Sequence, residues 1–435
     1  MTSKPVFAHG TIETLPPDKS ISHRAALIAA LAKGTSRLEN FSAGLDNQTT
    51  LNALRALGIA CEQTVHSDGR CEVVIHAQGL RSFKPSPAPI DCHNSGSTMR
   101  MLSGILAAQP FSTTLIGDAS LMKRPMRRIA EPLSQMGAKI ELSPTHTAPI
   151  HIQGSTALRP ISYSSPIASA QVKSAIIFAA LHVDGTSEVI EPARSRNHTE
   201  LMLGLESETL SDGRYKVYIR GAREIAPQDF VIPADPSAAC FITAFALLAR
   251  HSNLLLKNIC LNPTRTAYLD LLRASGADLR LENVRYLGGE RLGDIVISNA
   301  KLSLPLTLSG QALIANVIDE IPMLAVLSAL ATEQFALSDA AELRTKESDR
   351  IAALVLNLRA LGFACEEYPD GFCVHRRERI PTHPVRIETF GDHRIAMSFH
   401  IASYFAGTPL ELSEQASIAV SFPNFFEILE SVTHA

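Results

Sequence analysis

A polar or charged cluster, a small-residue apolar stretch, a turn and a strand-like run recur six times along the chain. The units are SISHRAALIAALAKGTSRLE from Ser20, NSGSTMRMLSGILAAQ from Asn94, SAQVKSAIIFAALHVDGTSEVIE from Ser169, DPSAACFITAFALLARHSNLLLK from Asp235, DEIPMLAVLSALATEQFALSD from Asp319 and DHRIAMSFHIASYFAGTPLELS from Asp392. The start-to-start intervals are 74, 75, 66, 84 and 73 residues, too regular for chance. They also exceed the roughly 20 to 50 residues of a solenoid repeat. One supersecondary unit is therefore used six times. Each unit opens with a helix N-terminus, whose unpaired backbone N–H groups and dipole favour anions.

At 435 residues the chain is longer than a single core supports, so six units divide into three and three. The expected division is 19–234 for the first half, and 1–18 plus 235–435 for the second. In the second arrangement a short N-terminal strand, around Val6 to Thr14, completes the sheet of the other half, and the chain crosses twice. The opening helix of each unit is small and apolar around most of its circumference, so it is expected to be buried. Second helices end on Gly58, Gly137, Gly276 and Gly362, each just before a strand-like run. Glycine supplies the left-handed helix stop cheaply. The unit is thus a mixed α/β module of two helices and about four strands.

A net charge of −3 without a long basic run points away from nucleic acid and from an anionic membrane. Apolar runs are shorter than a membrane span, and the N-terminal stretch lacks an apolar core, so a cytoplasmic protein is expected. The seven cysteines form no CxxC pair and read as reduced packing residues. His198 and Glu200 read as an alternating polar segment, and neither a metal nor a cofactor is expected.

Chemistry concentrates at the helix starts. Lys19 and Ser20 open the first helix, with Arg24 one turn on from Ser20; lysine suits phosphate, and serine can cap the helix or meet a ligand oxygen. Gly96 lies in a loop of small polar residues, and Lys123 and Arg124 follow in a second loop. Gln171, near the third start, can both donate and accept. In the second half Asp319 and Glu320 begin a helix, where an N-cap carboxylate is the common explanation. Lys346, Glu347 and Arg350 read as one charged helix face. Arg394 opens the last helix, and with Arg350 it could clamp one carboxylate.

With DKSISHR, NSGSTMR, GDASLMKRPM, SAQVKSA, TKESDR and GDHRIAM at consistent spacing from Lys19 to Pro423, the chain resembles the 5-enolpyruvylshikimate-3-phosphate synthase family. The resemblance implies a two-domain inside-out α/β barrel, each domain made of three βαβαββ repeats around buried parallel helices. It implies transfer of the enolpyruvyl group of phosphoenolpyruvate to the 5-hydroxyl of shikimate 3-phosphate, by a monomer without cofactor. Catalysis would fall to Asp319 as proton acceptor, Glu347 as second acid or base, and Lys19. Shikimate 3-phosphate would be bound by Lys19, Ser20, Arg24, Ser169, Ala170, Gln171, Arg196, Asp319 and Lys346. Phosphoenolpyruvate would be bound by Lys19, Gly96, Arg124, Gln171, Arg350 and Arg394.

There are departures from the family pattern. Val420-Ser421 precedes Phe422-Pro423 where many members carry a lysine. Arg196 to Glu200, SAQVK and Asn262 to Arg265 resemble motifs of the glyphosate-tolerant subgroup. That subgroup's GDK reads Pro17-Asp18-Lys19 here, and Gly96 is kept. Gly96→Ala is expected to weaken glyphosate inhibition, because a methyl group there would crowd the inhibitor. The sister enzyme acting on a UDP-amino sugar uses a cysteine in the loop corresponding to residues 117 to 126, and none stands there. A silent anion-binding protein on the same fold would lack the carboxylates, yet Asp319 and Glu347 are present.

Overall fold

Helices built from alanine, serine and short aliphatic residues can approach one another closely, and the six opening helices form the interiors of two units, three in each. The computed structural model describes residues 6–66, 70–298 and 302–434. Residues 1–5 of the N-terminal segment assigned above to the second half lie outside them. The opening helices are α1 (Lys19–Leu31), α2 (Gly96–Ala107), α3 (Ala170–Ala180), α4 (Pro236–Leu248), α5 (Ile321–Thr332) and α6 (His393–Ser403). Their side chains are buried along nearly the whole length, so amphipathicity is weak, as in a helix enclosed on all sides. In the first half α2 and α3 touch where Gly104 faces Ala175. A Cβ on Gly104 would lie 2.0 Å from the Ala175 carbonyl oxygen, so only glycine permits this contact.

The chain divides into two compact units. One comprises residues 17–232 and 287–290; the other comprises 1–16, 233–286 and 291–435. The crossings therefore fall after residues 16 and 232, rather than after 18 and 234. Residues 287–290 also count with the first half.

Three four-stranded sheets clothe the first half, and all follow one order. In the second of them Ile90–Asp91 runs parallel to Ser112–Ile116, which pairs antiparallel with Ile150–Gln153, and Lys139–Glu141 closes the edge. A parallel first pair demands a crossover, and the opening helix provides it. In the first sheet Lys33–Glu39 takes its parallel partner from the far end of the half: Phe230 pairs with Leu38 and Val231 with Glu39. The second half shows the reciprocal arrangement. Phe7–Ile12 lies parallel to His251–Cys260, with Phe7 opposite His251 and Ile12 opposite Leu256, inside a five-stranded sheet. A further four-stranded sheet is led by Leu306–Leu308, and the last unit retains the parallel pair Val385–Ile387 with Leu410–Leu412.

The second helices stop as their glycines dictate. Gly58, Gly137, Gly276 and Gly362 have φ of 82°, 108°, 102° and 92°, each one residue past the C-cap. Among the described residues no single helix is long and apolar enough to cross a membrane.

Candidate active site

In the first half, Asp18 caps α1 by accepting from the Ile21 N–H at 2.8 Å, which leaves the next residues for other work. Lys19 forms an ion pair with Asp46, and its carbonyl accepts from Asn47 Nδ2 at 3.1 Å. The Ser20 hydroxyl does not cap; it accepts from Arg196 Nη1 at 3.2 Å. Arg24 is buried. It donates from Nη1 to the Ser20 carbonyl at 2.9 Å, from Nε to Thr199 Oγ1 at 2.8 Å and from Nη2 to Ser174 Oγ at 3.3 Å. Those bonds join α1, α3 and the short helix His198–Leu203.

Gly96 is the first residue of α2, not part of a loop, and Ser95 is the cap. An added Cβ on Gly96 would lie 3.0 Å from Arg100 Nη1 and 3.3 Å from Arg124 Nη1, so the absent side chain leaves room for two guanidinium groups. Arg124, largely buried, donates to Asn94 Oδ1 at 2.7 Å and to Ser120 Oγ at 3.3 Å. Gln171, on the first turn of α3, uses both ends of its amide: Nε2 donates to Ser97 Oγ at 2.9 Å, and Oε1 accepts from Arg100 Nη1 at 2.6 Å. Ser169 caps α3 without a side-chain bond of its own and Ala170 follows it; the Ser169 N–H donates to Glu191 Oε1 at 2.8 Å. Ser20, Arg24 and Arg196 thus form one hydrogen-bonded group next to Lys19 in the chain, and Gly96, Arg124 and Gln171 form another around Arg100.

A neutral relay links the helices that carry these groups. His23 shares a 2.7 Å hydrogen bond with Thr50, Thr50 with Thr98 at 2.7 Å, and Thr98 with the capping Ser95 at 2.8 Å. Burial pushes the His23 imidazole down to about 3; Asp46 opposes the shift, and the Lys19 and Arg24 charges add to it. The ring is therefore uncharged at neutral pH.

In the second half, Glu320 occupies the cap position of α5, and Asp319 stands one residue before it. Asp319 is thus not the cap. Its Oδ1 is 3.4 Å from Arg350 Nη1 and 3.8 Å from Arg394 Nε, and its carbonyl oxygen accepts from Arg394 Nη1 at 2.8 Å. Arg350 opens the helix Arg350–Ala360 and is fully enclosed. It donates from Nε to Asp392 Oδ2 at 2.8 Å and from Nη2 to Glu347 Oε2 at 2.7 Å. Burial works against this guanidinium's charge, yet Asp392, Glu347 and Asp319 outweigh it and hold its pKa above the ordinary value. Asp392 is likewise penalised by burial, and Glu347 pushes the same way, but Arg350, with help from His393, leaves it below the usual carboxylate range. Asp319 and Glu347 can exchange protons with a substrate beside two arginines that can grip a carboxylate.

Other expectations are corrected here. Lys346, Glu347 and Arg350 do not share a helix face: Ala341–Thr345 is a 3₁₀ turn, Lys346 is extended, and the helix begins only at Arg350. The Lys346 ammonium lies 4.0 Å from Glu342. His198 and Glu200 belong to the helix His198–Leu203, not to an extended polar segment. Within the first half His198 Nδ1 is 2.6 Å from Glu290, and Glu200 is 2.8 Å from Lys173. The Asn262 to Arg265 motif lies beside the start of α4. Arg265 donates to Asp235 and to Ser237 Oγ, each at 2.9 Å, so the start of α4 is satisfied internally.

Several residues that contact the predicted site residues carry little or no sequence signal. Arg100 carried a signal, since it follows Gly96 by one helical turn inside NSGSTMR; Lys173 carried one at the same spacing from Ser169. Asp46, Glu191 and Thr199 carried none, because each reaches the site from a different element.

A family model described as EPSP synthase (3-phosphoshikimate 1-carboxyvinyltransferase) matches residues 3–429. The chain is 59% identical over 428 residues to a 3-phosphoshikimate 1-carboxyvinyltransferase of Chlorobium chlorochromatii, covering 98% of each, and 58% identical to one of Chloroherpeton thalassium at the same coverage. Among solved structures, EPSP synthase from Acinetobacter baumannii superposes with a TM-score of 0.80 at 37% identity, over 99% of this chain and 97% of that one. An enolpyruvyl transferase from Streptomyces tendae shares the fold, with a TM-score of 0.70 at 15% identity over 99% of this chain and 98% of that one. With a family match across nearly its whole length and relatives well above half identity, the chain belongs to the EPSP synthase (3-phosphoshikimate 1-carboxyvinyltransferase) family.

Proposed function

We propose that this enzyme transfers the enolpyruvyl group of phosphoenolpyruvate to the 5-hydroxyl of shikimate 3-phosphate and releases inorganic phosphate. The observation that carries this reading is the convergence of Arg350 and Arg394 on Asp319, beside Glu347. A hydroxyl is a poor nucleophile, so a carboxylate must take its proton as the oxygen attacks C2, while an acid protonates C3. The C–O bond to C2 forms, giving a tetrahedral phosphate adduct. Loss of a C3 proton then expels phosphate and restores the double bond. Asp319 is the proton acceptor at the hydroxyl, and Glu347 serves C3.

Lys19, Ser20, Arg24, Ser169, Ala170, Gln171, Arg196, Asp319 and Lys346 take shikimate 3-phosphate. Lys19, Gly96, Arg124 and Gln171 take phosphoenolpyruvate, whose carboxylate is held by Arg350 and Arg394 as charge-assisted donors. Lys19 also stabilises charge as phosphate departs. The protein works as a cytoplasmic monomer, without cofactor, nucleic acid or membrane.

Coupled measurement of phosphate release tests this. Release is expected with phosphoenolpyruvate plus shikimate 3-phosphate, and not with a UDP-amino sugar as acceptor. Release with the sugar alone would assign the sister activity, and release with neither would indicate a silent binding protein.

A further inference from the structure

The first half encloses an ion cluster that the proposed chemistry does not use. Lys173, on α3, is fully buried; its ammonium lies 2.6 Å from Glu191 and 2.8 Å from Glu200, and 5.1 Å from the centre of the Tyr215 ring. Two carboxylates and one ammonium withdrawn from water carry a large desolvation penalty, and well-packed apolar residues would commonly serve stability as well. The retained charge therefore asks for another reason, and the bonds of Glu191 supply one. Its Oε1 accepts from the Ser169 N–H at 2.8 Å and from Ser195 Oγ at 2.7 Å, while Oε2 faces Lys173 and accepts from Ser195 Oγ at 2.8 Å. Ser169 is the cap of α3, with no side-chain cap bond. Ser195 precedes Arg196, which reaches the Ser20 hydroxyl at the start of α1. One carboxylate thus fixes two chain segments that lie more than 20 residues apart in sequence and converge on the same group.

We propose that Glu191, anchored by Lys173, is a positioning residue for the phosphorylated acceptor: it sets the spacing between Ser169 and Arg196, so that both present donors to one phosphate. This inference rests on the assignment of those two residues to shikimate 3-phosphate. Lys173 holds the carboxylate at a fixed depth, and Glu200 holds Lys173 from the far side. Burial disfavours the Lys173 charge, but Glu191 and Glu200 outweigh that effect and raise its pKa, so the anchor is ionised at neutral pH.

Steady-state kinetics on the full chain tests the role. In Glu191→Gln an amide nitrogen would face the Lys173 ammonium, and the two-segment clamp would open. The KM for shikimate 3-phosphate is expected to rise about tenfold, with kcat and the KM for phosphoenolpyruvate within about twofold of wild type. Ser195→Ala removes only the hydroxyl that Glu191 holds, and should raise the same KM about threefold; it decides the matter alone if Glu191→Gln does not fold. A folded variant with an unchanged KM for shikimate 3-phosphate would overturn the proposal. So would an equal rise in both KM values, which marks general loosening. Wild-type turnover with shikimate 3-phosphate is the control for the parent assignment: its absence would sink that assignment and the positioning role with it, whereas turnover with unmoved variants would sink the positioning role alone.

Discussion

The two halves share one repeat and furnish it differently. In the first, Arg24, Arg100, Arg124 and Arg196 reach hydroxyl, amide and carbonyl oxygens, and the linking relay runs through neutral His23, Thr50, Thr98 and Ser95. In the second, Arg350 is gripped by Asp319, Glu347 and Asp392 together. Guanidinium groups that donate to neutral oxygens keep their attraction for anionic ligands, whereas the Lys19 ammonium is already paired with Asp46. A guanidinium set among carboxylates is held in place and kept ionised, and the carboxylates beside it are placed as candidates for proton transfer. The fold delivers helix starts, and the residues placed there differ between the halves; in the proposed reaction the first set binds and the second reacts.

The sharpest test of this contrast pairs one substitution from each half. Asp319→Asn should lower kcat by about a thousandfold, with KM values within about fivefold, as expected for loss of a general base. Arg124→Ala should raise the KM for phosphoenolpyruvate by about a hundredfold through loss of charge-assisted hydrogen bonds, with a smaller effect on kcat. If Asp319→Asn acted mainly on KM and Arg124→Ala mainly on kcat, the division of labour would be broken.

A smaller effect is expected of Gly96→Ala. The new methyl would press on the ends of two flexible arginines, so the protein should fold normally. Displacement of Arg124 should raise the KM for phosphoenolpyruvate about fivefold to tenfold and weaken inhibition by glyphosate. An unchanged inhibition constant would refute the crowding argument.

Acidity separates the halves more gently. His23 has a folded pKa of about 3, so the unfolded chain binds the proton more readily. Stability from this residue is complete above an unfolded pKa of about 6.5 and declines as pH falls toward the folded value, by up to about 1.4 kcal/mol per pH unit. The depressed pKa of Asp392 acts lower on the scale: its contribution is present above the unfolded value near about 3.9 and is lost as pH falls through the folded one. Unfolding of wild type and His23→Asn between pH 4 and 7 should therefore differ in slope by close to one proton. Taking the difference removes His182 and His400, whose pKa values burial also lowers. Parallel slopes would show that His23 is charged in the folded protein.

What the sequence made legible follows from how local each signal is. The buried helices, the four glycine stops and the borrowed N-terminal strand are written in short patterns, and the structure places them accordingly. Residues at helix starts were readable too, because capping and charge cluster within one turn. The Lys346 to Arg350 stretch was misread as helix because its charges have helical spacing. Asp349 starts the helix instead, with its side chain accepting from the Ala352 N–H at 3.0 Å. Asp46 and Glu191 were illegible for the opposite reason: nothing near them in sequence hints at Lys19 or Ser169, and only the packing of separate elements supplies the partner.

The exchanged first strands bear on how the protein is made. Phe7–Ile12 is synthesised about 240 residues before His251–Cys260, the strand it lies against, so at about 5 to 20 residues per second it waits for tens of seconds. Residues 17–232 contain their own parallel closing strand, Phe230–Val231, and can complete three sheets during that interval. Vectorial synthesis thus supplies every strand of the first half while the second still lacks most of its chain. A strand made before the whole of residues 17–232 finds its partner only after them.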